Sequence, residues 1–252
     1  MEALEILLKH RTIRKYKSET VPDNLMEKLL KAGIRASTTG NMQVYSIIHT
    51  SDPQIKQKLA PAHFNQPMVL QAPHILTFCA DFNRFKRWCC QRNAEPGYDN
   101  FLSFMTAAID ALLVAQNVAV AAESEGLGIC YLGTTLYNAD AIIEILKLPR
   151  GVVPITTLTL GWPAEQPEQV ERLPLDAVVH DQVYRDYTPE SIDRYYSEKE
   201  HLEANQKFVQ ENKKTSLAQV FTDIRYKKAD NEYFTEKLLA VLKNQGYINT
   251  SL

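Results

Sequence analysis

Two periods of apolar residues alternate along the chain. Residues 3–9 and 23–36 space apolar positions three and four apart, which predicts two amphipathic helices, the second opening at Asp23 as its N-cap after Pro22. Residues 44–49 and the run HILTFCA at 74–80 are β-branched and apolar and predict strands, with a short helix between them at 53–59. The longest apolar stretch predicts a helix over 101–123 that ends at Gly126 and Gly128. Beyond it follow a short strand at 129–132, a helix at 138–147 with Asn138 as its cap, and a strand at 152–160 stopped by Gly161-Trp162-Pro163.

Strands that alternate with helices imply a sheet with helices on both faces. From about Ala164 the chain becomes polar, charged and rich in Tyr and Lys, with helices expected near 191–210 and 233–244. This last third has too few apolar positions for a core of its own, so it is expected to pack on the main body or on a partner. No internal repeat or low-complexity segment interrupts the pattern. The stretch 104–122 is apolar enough to test as a membrane span. Asp110, Gln116 and Asn117 lie within it, each costly in hydrocarbon, so a buried core or interface helix is the better reading.

Composition narrows the classes further. The 252 residues suffice for one large domain, and 45% hydrophobic with 23% charged residues suits a globular protein. A formal net charge of -2 gives no reason to expect nucleic acid or an anionic membrane. The N-terminal segment lacks the order of charge and apolar residues that a secretion signal needs, which points to the cytoplasm. Cys79, Cys89, Cys90 and Cys130 have no CxxC spacing, and the six histidines show no paired metal spacing, so no metal site is expected.

Several chemistries fail on their motifs. There is no GxSxG elbow and no GxxxxGK[ST] phosphate loop. The run GLGICYLG has Tyr131 where a dinucleotide fingerprint needs its third glycine, and it follows a helix. Four polar elements remain: the cationic segment from His10 to Tyr16, the loop from Ser37 to Asn41 with Gln43, the segment Tyr131-Leu132-Gly133-Thr134, and Gly161-Trp162-Pro163 followed by Arg172-Leu173-Pro174. Clustered arginines can clamp a phosphate through bidentate, charge-assisted bonds. A loop of small hydroxyl residues leaves room for a flat ligand.

Taken in order, these elements resemble the nitroreductase family, in its branch of NADPH-dependent nitroreductases and flavin reductases. HRTIRKY, RASTTGNMQVYSII, CADFNR, AAESEGLGICYLG, LKLP, LGWPAEQP and RLP carry the resemblance over residues 1–185. It implies an α+β fold, a mixed sheet flanked by helices, in an intertwined homodimer. It also implies an FMN-binding core over 1–185 and a C-terminal helical extension over 186–252 that packs on the core or on the partner subunit.

The resemblance assigns cofactor-binding roles to residues of this chain. His10, Arg11, Thr12 and Arg14 would hold the FMN phosphate and ribityl chain, with Arg172 as a late phosphate ligand. Ser37, Thr38, Thr39, Gln43 and Gln66 would touch the flavin, and Tyr131, Leu132, Gly133 and Thr134 would lie near its ring. Lys213 and Lys214 would meet the 2′-phosphate of NADPH. The implied activity is electron transfer from NAD(P)H, NADPH favoured, through FMN to nitroaromatic, quinone or flavin acceptors by a ping-pong route that needs no catalytic side chain. Ene reduction, reductive dehalogenation or flavin binding without turnover are the alternatives on the same fold. Three positions depart from the pattern. Thr134 replaces a second glycine, Leu136 replaces an arginine and Val170 replaces a lysine, which leaves fewer cations for the phosphate.

Overall fold

In the computed structural model, which describes residues 2–248, the chain opens with α1 (Ala3–Leu8) and α2 (Asp23–Gly33). Strand β1 (Tyr45–Thr50) leads through α3 (Pro53–Leu59) and α4 (Pro67–Gln71) to β2 (His74–Asp81). Then come α5 (Asn83–Gln91), α6 (Phe101–Ser124), β3 (Gly128–Leu132), α7 (Ala139–Leu146) and β4 (Val152–Gly161). After these lie α8 (Pro189–His201), α9 (Glu203–Glu211), α10 (Leu217–Val220) and α11 (Lys228–Asn244). The chain divides into two units: the first runs to Glu168 and resumes at Phe234, and the second is Gln169–Tyr233.

The sheet of the first unit has the order β1-β2-β4-β3, and every strand pair is antiparallel. Its parallel component is a single bridge, Thr12 to Ile129 on β3. All of β2 and β4 is buried, because helices cover both faces. Alternation along β2 sorts its side chains: Leu76, Phe78 and Ala80 join the core against α6, while Ile75 joins a second core with Leu59, Cys130, Leu132 and Ile142. On β4, Val153 and Ile155 share the α6 core with Leu158 and Leu160, although their positions differ in parity. The register shift opposite Phe78 and Cys79 permits this, since one extra residue reverses the alternation.

Helix α6 packs a face of Ala107, Ala111, Ala115, Ala119 and Ala122 under the sheet, and small side chains there allow close approach. By length and composition it is the one helix among the described residues that could cross a membrane, yet half of it is buried inside the fold. Its outer face leaves Leu102, Met105, Ile109, Leu112 and Leu113 exposed.

The structure moves several expected boundaries. Asp23 is the first residue of α2 rather than its cap, a place that Pro22 takes with no side-chain hydrogen bond. Asn138 stands at the N-cap position of α7, but its side chain donates to the Ala62 carbonyl (2.9 Å). The helix expected over 191–210 is two helices, broken where Leu202 leaves helical geometry (ψ 129°). Helix α11 starts at Lys228, five residues ahead of the expected Tyr233. Helix α5 was not anticipated, since NRFKRW carries more charge than apolar periodicity. Phe85 nevertheless packs with Phe82 and Tyr98 in an aromatic cluster.

Candidate functional site

The cationic segment after α1 lies along the free edge of β3. Thr12 bridges to Ile129, and the Ile13 N–H donates to the Ile129 carbonyl (2.9 Å). Gly128 makes this possible: a Cβ there would meet Ile13 Cβ at 2.7 Å. At the start of the segment His10 Nδ1 pairs with Glu123 Oε1 (2.6 Å) near the end of α6. At its far end a Glu165 carboxylate oxygen accepts from the backbone N–H of Arg14 (2.7 Å) and of Lys15 (3.0 Å). Arg14 is exposed. Arg11 is half-buried; one Nη donates to the Lys9 carbonyl, and its Nε is buried with no hydrogen-bond partner among the described residues. A cavity of about 650 Å³ opens beside the segment, with Lys9, Arg11, Lys17, Glu123 and Glu165 in its wall.

Strand β3 ends in the turn Gly133–Thr135. Tyr131 reaches Gln116 Oε1 on α6 with its hydroxyl (3.3 Å), and burial raises its pKa, so the phenol stays protonated. Leu132 is buried, Gly133 is exposed, and a Cβ on Gly133 would meet nothing within 4 Å. The Thr134 hydroxyl contacts the ring of His63, which ends the turn Pro61–His63. Phe64 and Asn65 follow with left-handed backbones (φ 54° each), and Gln66 then stands, half-buried, at the N-cap of α4. The turn also gathers aromatic rings: Tyr137 stacks on Phe234 at 4.5 Å, and Phe64 meets the edge of Phe234 at 6.0 Å.

The hydroxyl loop is held from α6. Asp110, fully buried, accepts from the N–H of Thr39 (2.9 Å) and of Val44 (3.4 Å). Arg84 at the start of α5 donates to the Gln43 and Tyr45 carbonyls. Between these ties the backbone turns through Gly40, Asn41 and Gln43, all left-handed. Ser37, Thr39 and Gln43 are exposed and Thr38 is half-buried.

Thr12 is thus bridged to β3, Thr134 just beyond β3 meets His63, Gln66 donates to the His63 carbonyl, and His10 and Tyr131 are each held by α6. Of the hydroxyl loop, Thr39 is tied to α6, the helix that also holds Tyr131 and His10, while the Gln43 carbonyl is held by Arg84. Arg172, Lys213 and Lys214 belong to the second unit. There Arg172 is exposed and donates to the Val170 and Glu171 carbonyls, Lys213 is exposed with φ 53°, and Lys214 forms an ion pair with Asp223 (2.8 Å).

Sequence reasoning missed His63, Arg84 and Glu165 altogether. Asp110 had a signal, as the acid inside an apolar helix, but that signal served only to exclude a membrane span.

These residues suit a planar, phosphorylated ligand such as FMN. A buried guanidinium nitrogen with no partner needs an acceptor, and the open space over Gly133 admits a flat group close to the backbone.

Fold and donors together define an α+β protein with a cationic segment along the β3 edge of its sheet and a hydroxyl loop leading into β1 at the other edge. The nitroreductase family model matches residues 7–162, and the chain belongs to that family. It is 38% identical over 183 residues to an FMN reductase (NADPH) of Bacillus subtilis, covering 72% of this chain and 74% of that protein. An oxygen-insensitive NADPH nitroreductase of Salmonella typhimurium is 36% identical over 192 residues, 76% of this chain and 78% of its own. A crystal structure from Bacteroides fragilis, assigned only as an oxidoreductase, superposes with a TM-score of 0.96 at 53% identity, covering 97% of this chain and all of that one.

Asp110→Ala strips the hydroxyl loop of its anchor. We expect a stability loss of about 1.5–3 kcal/mol, the worth of a hydrogen bond to a charged group, in urea unfolding. Faster amide exchange should be confined to residues 37–44. Asp110→Asn keeps one acceptor and should lose less.

Proposed function

We propose that this chain is an FMN-dependent oxidoreductase that takes electrons from NAD(P)H, NADPH favoured, and passes them to nitroaromatic, quinone or flavin acceptors in two half-reactions. Arg11 carries the reading: its buried Nε has no hydrogen-bond partner among the described residues, and it lies in the cationic segment whose resemblance to the family implies a phosphate clamp. His10, Arg11, Thr12 and Arg14 grip the phosphate and ribityl chain, and Arg172 adds a later cation. Ser37, Thr38, Thr39, Gln43 and Gln66 fix the flavin edge, while Tyr131, Leu132, Gly133 and Thr134 line its ring.

FMN, when bound, supplies the redox chemistry. The protein orients it, hydrogen-bonds it and keeps water away, so no side chain is assigned as acid or base. The FMN-binding core spans 1–185, and 186–252 form an extension packing on the core or on a partner subunit. The chain works in the cytoplasm.

The purified protein should be yellow and release FMN, not FAD, on denaturation. Arg14→Ala should weaken FMN binding by about 1.5–3 kcal/mol in titrations of the stripped protein. A colourless protein that cannot be reconstituted with FMN contradicts the proposal, and NADPH oxidation separates an enzyme from a mere flavin binder.

The assembly is a homodimer. The apolar outer face of α6, from Leu102 to Leu113, is an exposed stripe of the kind that subunits bury. Sedimentation should give a dimer at micromolar concentration; an FMN-loaded monomer there refutes the dimer.

Lys213 and Lys214 set the nucleotide preference by meeting the 2′-phosphate as point charges. Lys213 is exposed and Lys214 is shared with Asp223, so the effect is modest and sensitive to salt. Replacing both with Ala should raise KM for NADPH and leave KM for NADH unchanged. Equal losses for the two nucleotides would exclude a 2′-phosphate contact.

A further inference from the structure

His63 is fully buried, yet its imidazole uses only one of its two nitrogens. Nδ1 lies 2.9 Å from Thr134 Oγ1, while Nε2 is buried with no hydrogen-bond partner among the described residues. An idle buried nitrogen costs free energy that a leucine of similar bulk would avoid.

Two segments meet at this ring. One is the turn Pro61–His63 with the left-handed residues Phe64 and Asn65; its end is tied by the Gln66 N–H, which donates to the His63 carbonyl (3.2 Å). The other is the turn Gly133–Thr135, where Thr135 Oγ1 donates to the Leu132 carbonyl (2.9 Å) and lies in hydrogen-bond contact with Thr157 Oγ1 (3.0 Å). A second tie, from Asn138 Nδ2 at the N-cap of α7 to the Ala62 carbonyl, holds the Pro61–His63 turn to the chain just beyond that segment. Burial lowers the His63 pKa to about 4, so the ring is neutral at physiological pH and its bond to Thr134 is a neutral one.

We propose that His63 is a positioning residue that couples the Gln66 segment to the Gly133–Thr134 turn and so fixes the spacing between two sides of the flavin site. The proposal rests on the FMN reading given above. His63 touches no reacting atom; it acts through the Thr134 hydroxyl and through the backbone at Gln66.

The test is FMN titration of the stripped protein together with the visible spectrum of the reconstituted one. His63→Leu should weaken FMN binding about tenfold, the worth of one net hydrogen bond, and shift the absorption bands of the bound flavin. Thr134→Val should do the same. His63→Asn, whose amide reaches the place of Nδ1, should recover most of the affinity and the wild-type spectrum. Combining His63→Leu with Thr134→Val should cost no more than the worse single change, because both break one bond.

Wild-type affinity and spectrum in both single variants overturn the proposal, and so do losses that add in full. If His63→Leu fails to fold, Thr134→Val and His63→Asn carry the same decision. Wild-type protein that binds no FMN defeats the FMN reading and this proposal with it. Wild-type binding with unaffected variants defeats this proposal alone.

Discussion

Helix α6 is the part on which the rest depends. Its small residues sit against the sheet, and three polar side chains along its length each hold one segment of the candidate site. Asp110 takes the hydroxyl loop, Gln116 takes Tyr131, and Glu123 takes His10. At about 1.5 Å rise per residue, these contacts spread over roughly 20 Å of one rigid rod. Segments far apart in the chain are thus referred to a common ruler. A helix that served only as core filling would not bury a carboxylate, since an unpaired charge there is costly. Asp110 is tolerated because it accepts from two backbone N–H groups that would otherwise lack partners.

Around β3 the balance differs. The backbone N–H groups of Ile13, Arg14 and Lys15 are satisfied, the first by Ile129 and the other two by Glu165. The side chains are not all satisfied: Arg14 reaches solvent and Arg11 keeps an idle Nε. A fixed backbone with uncommitted cations is preorganised for an anion, because little ordering remains to be done on binding.

Most of the fold was legible in the sequence where the period was clean. Strands β2 and β4 are short, β-branched and apolar, and α6 is long, so their type followed from pattern alone. Where charge diluted the pattern it failed: no helix is expected over α5, and the break at Leu202 left no Gly or Pro to mark it. The candidate site was legible as segments, because clusters of Arg, hydroxyl residues and Gly stand out locally. Its supports were not. His63, Arg84 and Glu165 act across long stretches of chain, on partners that only the folded topology brings near, and nothing in their local surroundings marks them.

The bridge between Thr12 and Ile129 has a second consequence. Strand β3 is an outer strand of the sheet, and an outer strand offers its free peptide groups to any extended chain that comes by. The cationic segment occupies part of that row and places charge beside it. The cationic stretch therefore also guards the edge against strand-to-strand association. Conditions that loosen it, such as a charge reversal at Arg14 or the loss of Glu165, would expose an adhesive edge.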